Sequence, residues 1–221
     1  MAADPFYSER STPMFRYDSP FMRFMALVAN LILLNLLWII TSLPLVTAGA
    51  STTAMYYVVL QYVNKQDDAV LKPFLKSFKD NFKQATKIWI PHGLIGLALV
   101  AEYFYLTINK TDSLWWLIFV VMAGVYLLIS GMLYPMLARY ENVTRAIVFN
   151  SINLSFRNFF PMLTTVILNF APIGLLMIDY EVFLRTLPLW TFGGFALIAY
   201  LNAIIVMRIF KKYDNPEDDQ N

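Results

Sequence analysis

Glu102 and His92 are the first residues to weigh for chemistry, because both sit in one apolar run, Ile88–Ile108. A carboxylate inside a bilayer is costly, so it marks a site unless it can escape to an interface. The helical rise puts Glu102 about 6 Å outward of the middle of that run. Two readings stand: an inward-facing site, which the small neighbours Ala98 and Ala101 favour by allowing close helix contact, or a side chain reaching the outer interface. His92 is the only histidine and follows Pro91 near the other end. Ten residues of helix separate it from Glu102 by about 15 Å, so the two cannot share a metal within that helix. No GxSxG, HExxH or Walker A pattern is present, and no apolar run holds paired carboxylates. The absence of cysteine removes thiolate catalysis, disulfides and Cys-ligated metals. No catalytic residue, metal or cofactor is expected, and the chain reads as non-enzymatic.

A second constellation is the turn Thr41-Ser42-Leu43-Pro44-Leu45-Val46-Thr47-Ala48-Gly49-Ala50-Ser51-Thr52-Thr53. Pro44 leaves a carbonyl without its usual donor and Gly49 loosens the chain. The surrounding hydroxyls can meet the freed backbone groups, and small side chains let helices approach closely. This is either a tightly packed hairpin turn or a broken helix lining a solute path. In the second case Asn35, Thr41, Ser42, Pro44, Thr47, Gly49, Ser51 and Glu102 are the candidate path residues. Asn30, Asn169 and Asn202 also fall inside apolar runs; such asparagines usually bond neighbouring helices.

The third is a lysine-rich stretch. Taken as a helix at 100° per residue, Leu71–Trp89 sets Phe74, Phe78 and Phe82 on an apolar face and Lys72, Lys76, Lys79, Lys83 and Lys87 on the opposite one. That pattern predicts a cytoplasmic arm helix lying in the headgroup layer. Ser77-Phe78-Lys79 recurs as Ser155-Phe156-Arg157, three matching residues that do not establish a duplication. Lys72, Lys76, Lys79, Lys83, Phe78, Phe82, Phe156 and Arg157 are the candidate contacts to lipid or a protein partner. The basic residues are not interleaved as a nucleic-acid groove, so no nucleic-acid partner is expected.

The elements that must position these residues are membrane spans. Of 221 residues, 58% are hydrophobic and 14% charged, against about 25% charged in soluble domains. The run Phe24–Asn64 has 41 residues without a charge, while one span needs about 20. Further apolar runs cover Leu114–Ala138, Phe160–Ile178 and Leu187–Met207. A signal peptide cleaved after Ala48-Gly49-Ala50 is disfavoured, because the run is too long and stays apolar beyond that point. If Phe24–Asn64 is a hairpin of two spans, 15 of the 17 basic residues fall on one side, leaving Lys110 and Arg185 opposite. The expectation is an all-α polytopic bundle of six spans in the cell membrane, with cytoplasmic amphipathic arm helices and both termini cytoplasmic. Five spans plus a re-entrant segment is the alternative, since Ser51–Asn64 covers only about 21 Å. Residues 1–23 form the N-terminal arm, 24–212 one transmembrane domain and 213–221 an acidic tail.

Asn35-Leu36-Leu37-Trp38-Ile39-Ile40-Thr41-Ser42-Leu43-Pro44-Leu45-Val46-Thr47-Ala48-Gly49-Ala50-Ser51-Thr52-Thr53-Ala54-Met55-Tyr56-Tyr57 resembles the signature of the YesL-like (DUF624) family. So does Phe74-Leu75-Lys76-Ser77-Phe78-Lys79-Asp80-Asn81-Phe82-Lys83-Gln84-Ala85-Thr86. These are multi-pass bacterial membrane proteins. The resemblance implies a Gram-positive cell membrane and an association with carbohydrate uptake, commonly a sugar ABC permease. It supplies no catalytic residues. Ala48 stands where the family pattern has isoleucine. The expected function is an accessory or regulatory component of such a system, with a stand-alone small-solute transporter as the alternative.

Overall fold

Each long apolar run becomes a helix, because a backbone group in lipid must find its partner within its own segment. A computed structural model describes residues 20–66 and 69–214, without the side chains of Met177 and Ile178. The arm before Pro20 and the tail beyond Asp214 lie outside the described residues. The helices are α1 (Pro20–Ser42), α2 (Ala48–Val63), α3 (Leu71–Ile108), α4 (Ser113–Arg139), α5 (Thr144–Arg157), α6 (Phe159–Ile178), α7 (Tyr180–Leu189) and α8 (Phe195–Asp214). A 3-10 turn, Leu45–Thr47, joins α1 to α2, and a π-helical turn, Trp190–Gly194, joins α7 to α8. Proline is tolerated at the first position of α1, where its missing N–H has no helical acceptor to serve.

Among the described residues five helices are long and apolar enough to cross a membrane: α1, α3, α4, α6 and the continuous α7–α8. α2 is not among them. Its 16 residues rise only about 24 Å. It can be short because protein covers it: ten of its residues are buried, against α1, α3, α4 and α8. The second of the six expected spans is thus the short helix α2, which runs back along α1 under protein cover, beside the five long helices. α1 and α2 form a hairpin. Trp38 Nε1 donates to Thr52 Oγ1 at 3.1 Å near the turn, and Asn30 bonds Tyr62 toward the open end.

The lysine stretch continues without a break into the following apolar run, so α3 is one 38-residue helix about 57 Å long. Part of its apolar face packs on α2, while Leu71, Leu75 and Phe82 stay exposed. Phe74, Ala85 and Ile88 join the core with Ala50, Ala54 and Val58 of α2. The five lysines are exposed on the opposite face. α5 is a separate amphipathic helix that packs on α4 through Ile147, Ser151 and Ser155. Both serines of the recurring tripeptide are buried, Ser77 on α3 and Ser155 on α5, while Lys79 and Arg157 are exposed. The phenylalanines differ: Phe78 packs against the core, whereas Phe156 is half exposed.

The main core gathers α2, the lysine half of α3, the second half of α4, and α8. Beyond it, Ile90–Ile108 of α3 and the first half of α4 pair as an outer hairpin. Tyr103 meets Trp116 and Phe119 at centroid distances of 5.9 and 6.1 Å. Leu94, Leu97, Phe104, Leu117, Val120 and Val121 project outward and are exposed.

Candidate functional site

The turn between α1 and α2 closes on itself. Thr41 Oγ1 donates to Leu37 O at 2.7 Å, Ser51 Oγ to Thr47 O at 3.0 Å, and Thr47 Oγ1 to the carbonyls of Thr41 and Pro44. Trp89 Nε1 of α3 donates to Leu45 O at 2.7 Å. Leu43, Pro44, Leu45 and Val46 are exposed, with Leu45 at 78%. Gly49 is needed for close approach: a Cβ there would stand 2.5 Å from Trp89 Cβ and 3.0 Å from Ala85 O. Ser42 Oγ is buried and has no hydrogen-bond partner among the described residues. These contacts meet the freed carbonyls with local hydroxyls, the backbone chemistry anticipated for the motif.

Asn35 is drawn away from the turn to the π-helical segment. Pro188 has no N–H to give, and the wider π spacing breaks the regular ladder. The Asn35 amide fills the gap. Its Nδ2 donates to Trp190 O at 2.9 Å and Thr191 O at 2.7 Å, and its Oδ1 accepts from Ala196 N at 2.9 Å. The side chain is fully buried. It locks α1 to the α7–α8 junction.

Glu102 is half-buried on the outer half of α3 and has no hydrogen bond or ion pair among the described residues. Ala98 and Ala101, expected to permit close packing beside it, are exposed. His92 serves helix packing: its ring stacks on Tyr126 at 4.4 Å, and Nε2 lies 3.0 Å from Ser130 Oγ. No group of three His, Cys, Asp or Glu side chains that could hold a metal occurs among the described residues.

None of the candidate path residues lines either of the two cavities described below. The first, about 400 Å³, lies among α1, α2, α6, α7 and α8. Its walls are apolar, from Trp38, Met55, Pro172, Leu176, Phe183 and Phe195. Three polar side chains reach it: Thr52, Tyr56 and Asn169. Behind them Asn202 Nδ2 donates to Asn169 Oδ1 at 2.9 Å and to the Tyr56 hydroxyl, Oη, at 3.3 Å. Asn169 and Asn202 were visible as polar residues in apolar runs. Tyr56 and Trp38 carried no such signal, because an aromatic in an apolar run looks like any core residue.

A second, open cleft of about 580 Å³ is bordered by Lys83 and Lys87 of α3 and by Arg145 at the start of α5. Gln84 Nε2 donates to Asn142 O at 2.7 Å and holds the α4–α5 loop against α3. Nearby, Arg139 pairs with Asp214 at 2.6 Å, and Tyr140 donates to the same carboxylate at 2.8 Å. Burial first, then the Asp214 charge, push the Tyr140 phenol up to about 12. These bonds bring the basic residues around the α4–α5 loop close to the last turn of α8.

Fold and surfaces together define an all-α, multi-pass membrane protein with one apolar cavity described above and a basic face. Residues 31–103 match the family described as a protein of unknown function, DUF624. Both quoted motifs fall within that match, so the resemblance to the DUF624 (YesL-like) family holds over this part of the chain. No curated protein and no solved structure matches the chain.

Proposed function

We propose that the chain is a non-enzymatic accessory component of a carbohydrate-uptake system in the cell membrane, with an ABC-type sugar permease as its partner. The observation that carries this reading is the outer α3–α4 hairpin. Its two helices meet through Tyr103, Trp116 and Phe119, and it presents apolar side chains on its outer faces. A protein whose only task was to enclose a solute would bury such a hairpin in its own bundle. A component that docks on another membrane protein keeps it free, with lipid or partner as cover. The link to carbohydrate uptake comes from the family resemblance. The exposed lysines of α3, together with Arg157 and Phe156 on α5, are the cytoplasmic contact face. The positive-inside rule places them there. An antiparallel α1–α2 pair followed by four long helices supports a reading in which both termini lie on that same side.

The stand-alone transporter has less support. A sugar crossing alone needs hydrogen-bonding partners along its route, and the cavity wall is apolar. Affinity purification from native membranes is the test, with a sugar permease as the expected partner. Recovery of the chain alone, together with solute flux in liposomes that hold only this protein, would replace the accessory reading with the transporter.

A further inference from the structure

The cavity among α1, α2, α6, α7 and α8 has an apolar wall and, on α6, an amide with an unfinished hydrogen-bonding point. None of its lining residues is charged, so a charged ligand would enter without a counter-ion and at high cost. The unfinished point is Asn169. One atom of its amide is engaged by Asn202 at 2.9 Å, and the other has no partner among the described residues. The fully buried Asn202 amide is likewise half-used: Nδ2 serves both Asn169 and Tyr56, while Oδ1 is unpartnered. Turning both amides over preserves the arrangement with donors and acceptors exchanged. Asn169 then offers the cavity an acceptor instead of a donor. A hydroxyl group satisfies either orientation, because it both donates and accepts.

We propose that this cavity is a binding site for an uncharged, largely apolar molecule bearing a single hydroxyl, which bonds Asn169 while the apolar body lies against Trp38, Phe183 and Phe195. The volume of about 400 Å³ is within the range of small-molecule sites. The site is partly open, and Ile173 at its edge is half exposed, so a ligand dissolved in the bilayer can reach it without crossing water. Trp38 joins the α1–α2 hairpin to the cavity through its bond to Thr52. This site is independent of the accessory role and of any protein partner.

The test compares two probes, bromodecanol and bromodecane, added to the full-length protein in lipid nanodiscs. Bromine quenches tryptophan fluorescence on contact. The expected result is a saturable quenching component for bromodecanol that disappears in Trp38→Phe. Bromodecane should bind about five- to tenfold more weakly, the factor that one net hydrogen bond supplies. Asn169→Leu should bring the two probes to equal affinity, and Ile173→Trp, at an exposed edge position, should weaken both. Equal affinity of the two probes for the unaltered protein would mean that the amide needs no ligand hydroxyl, and overturns the proposal. So would quenching that rises linearly without saturation, which is partition into lipid. The probe comparison needs no variant, so a variant that fails to fold leaves the proposal open to refutation.

Discussion

Adding one methyl group at Gly49 should separate two helices. The new Cβ would stand 2.5 Å from Trp89 Cβ and 3.0 Å from Ala85 O, where carbon atoms prefer about 3.5–4.0 Å. Neither obstacle can swing aside: one is the first side-chain carbon and the other is backbone. α2 and α3 must therefore part by about 1 Å, along the contact that holds Phe74, Ala85 and Ile88 in the core. Overpacking of this kind costs about 1–3 kcal/mol. Losing the Trp89–Leu45 bond as the helices move adds roughly 1 kcal/mol. A total of about 3 kcal/mol lowers the folded-to-unfolded ratio by roughly two orders of magnitude. The assay is reversible unfolding of purified Gly49→Ala in mixed micelles. Gly124→Ala is the control, because nothing lies within 4 Å of a Cβ at Gly124 and alanine is the better helix former. Its stability should hold or rise. The partner substitution sharpens the test: Trp89→Gly should reduce the Gly49→Ala penalty, leaving the part due to Ala85 O, whereas Trp89→Ala, which keeps the nearer offending carbon, should not. Equal stability of Gly49→Ala and Gly124→Ala would refute the close-approach argument.

Asn35→Leu removes three bonds, two to the π-helical turn and one to the start of α8, and should cost about 2 kcal/mol; hydrogen exchange should show the Ala196 amide losing protection before the rest of α8. Single cysteines at Lys79 and Arg145 should be shielded from an impermeant reagent in intact cells, and one at Lys110 should react; labelling of Lys79 from outside would invert the proposed orientation. Glu102→Leu should leave thermal stability unchanged or raise it, because the carboxylate has no protein partner among the described residues; a clear loss of stability would reveal a partner on a neighbouring helix or a second protein.

Composition and charge spacing determined the class of fold. A chain 58% hydrophobic and 14% charged can satisfy its backbone in lipid only as helices, and its runs set where they fall. Apolar and lysine faces at 100° per residue also determined that Phe74 and the lysines would part company on the helix, and they do. What covers the phenylalanine face was not legible, because an apolar stripe reads the same against headgroups as against a neighbouring helix. Only the tertiary structure decided for α2, through a close approach that Gly49 permits and that no local rule foretells. The same holds for span count: a 16-residue helix is too short to be read as a span, yet its burial by α1, α3, α4 and α8 makes that length sufficient. Asn35 makes the contrast plain. Its place in an apolar run marked it as a residue needing partners, but those partners are backbone groups 155 to 161 residues away. The hydrogen-bonding demand is local to one side chain, while the supply comes from a π-helical turn that folding brings beside it.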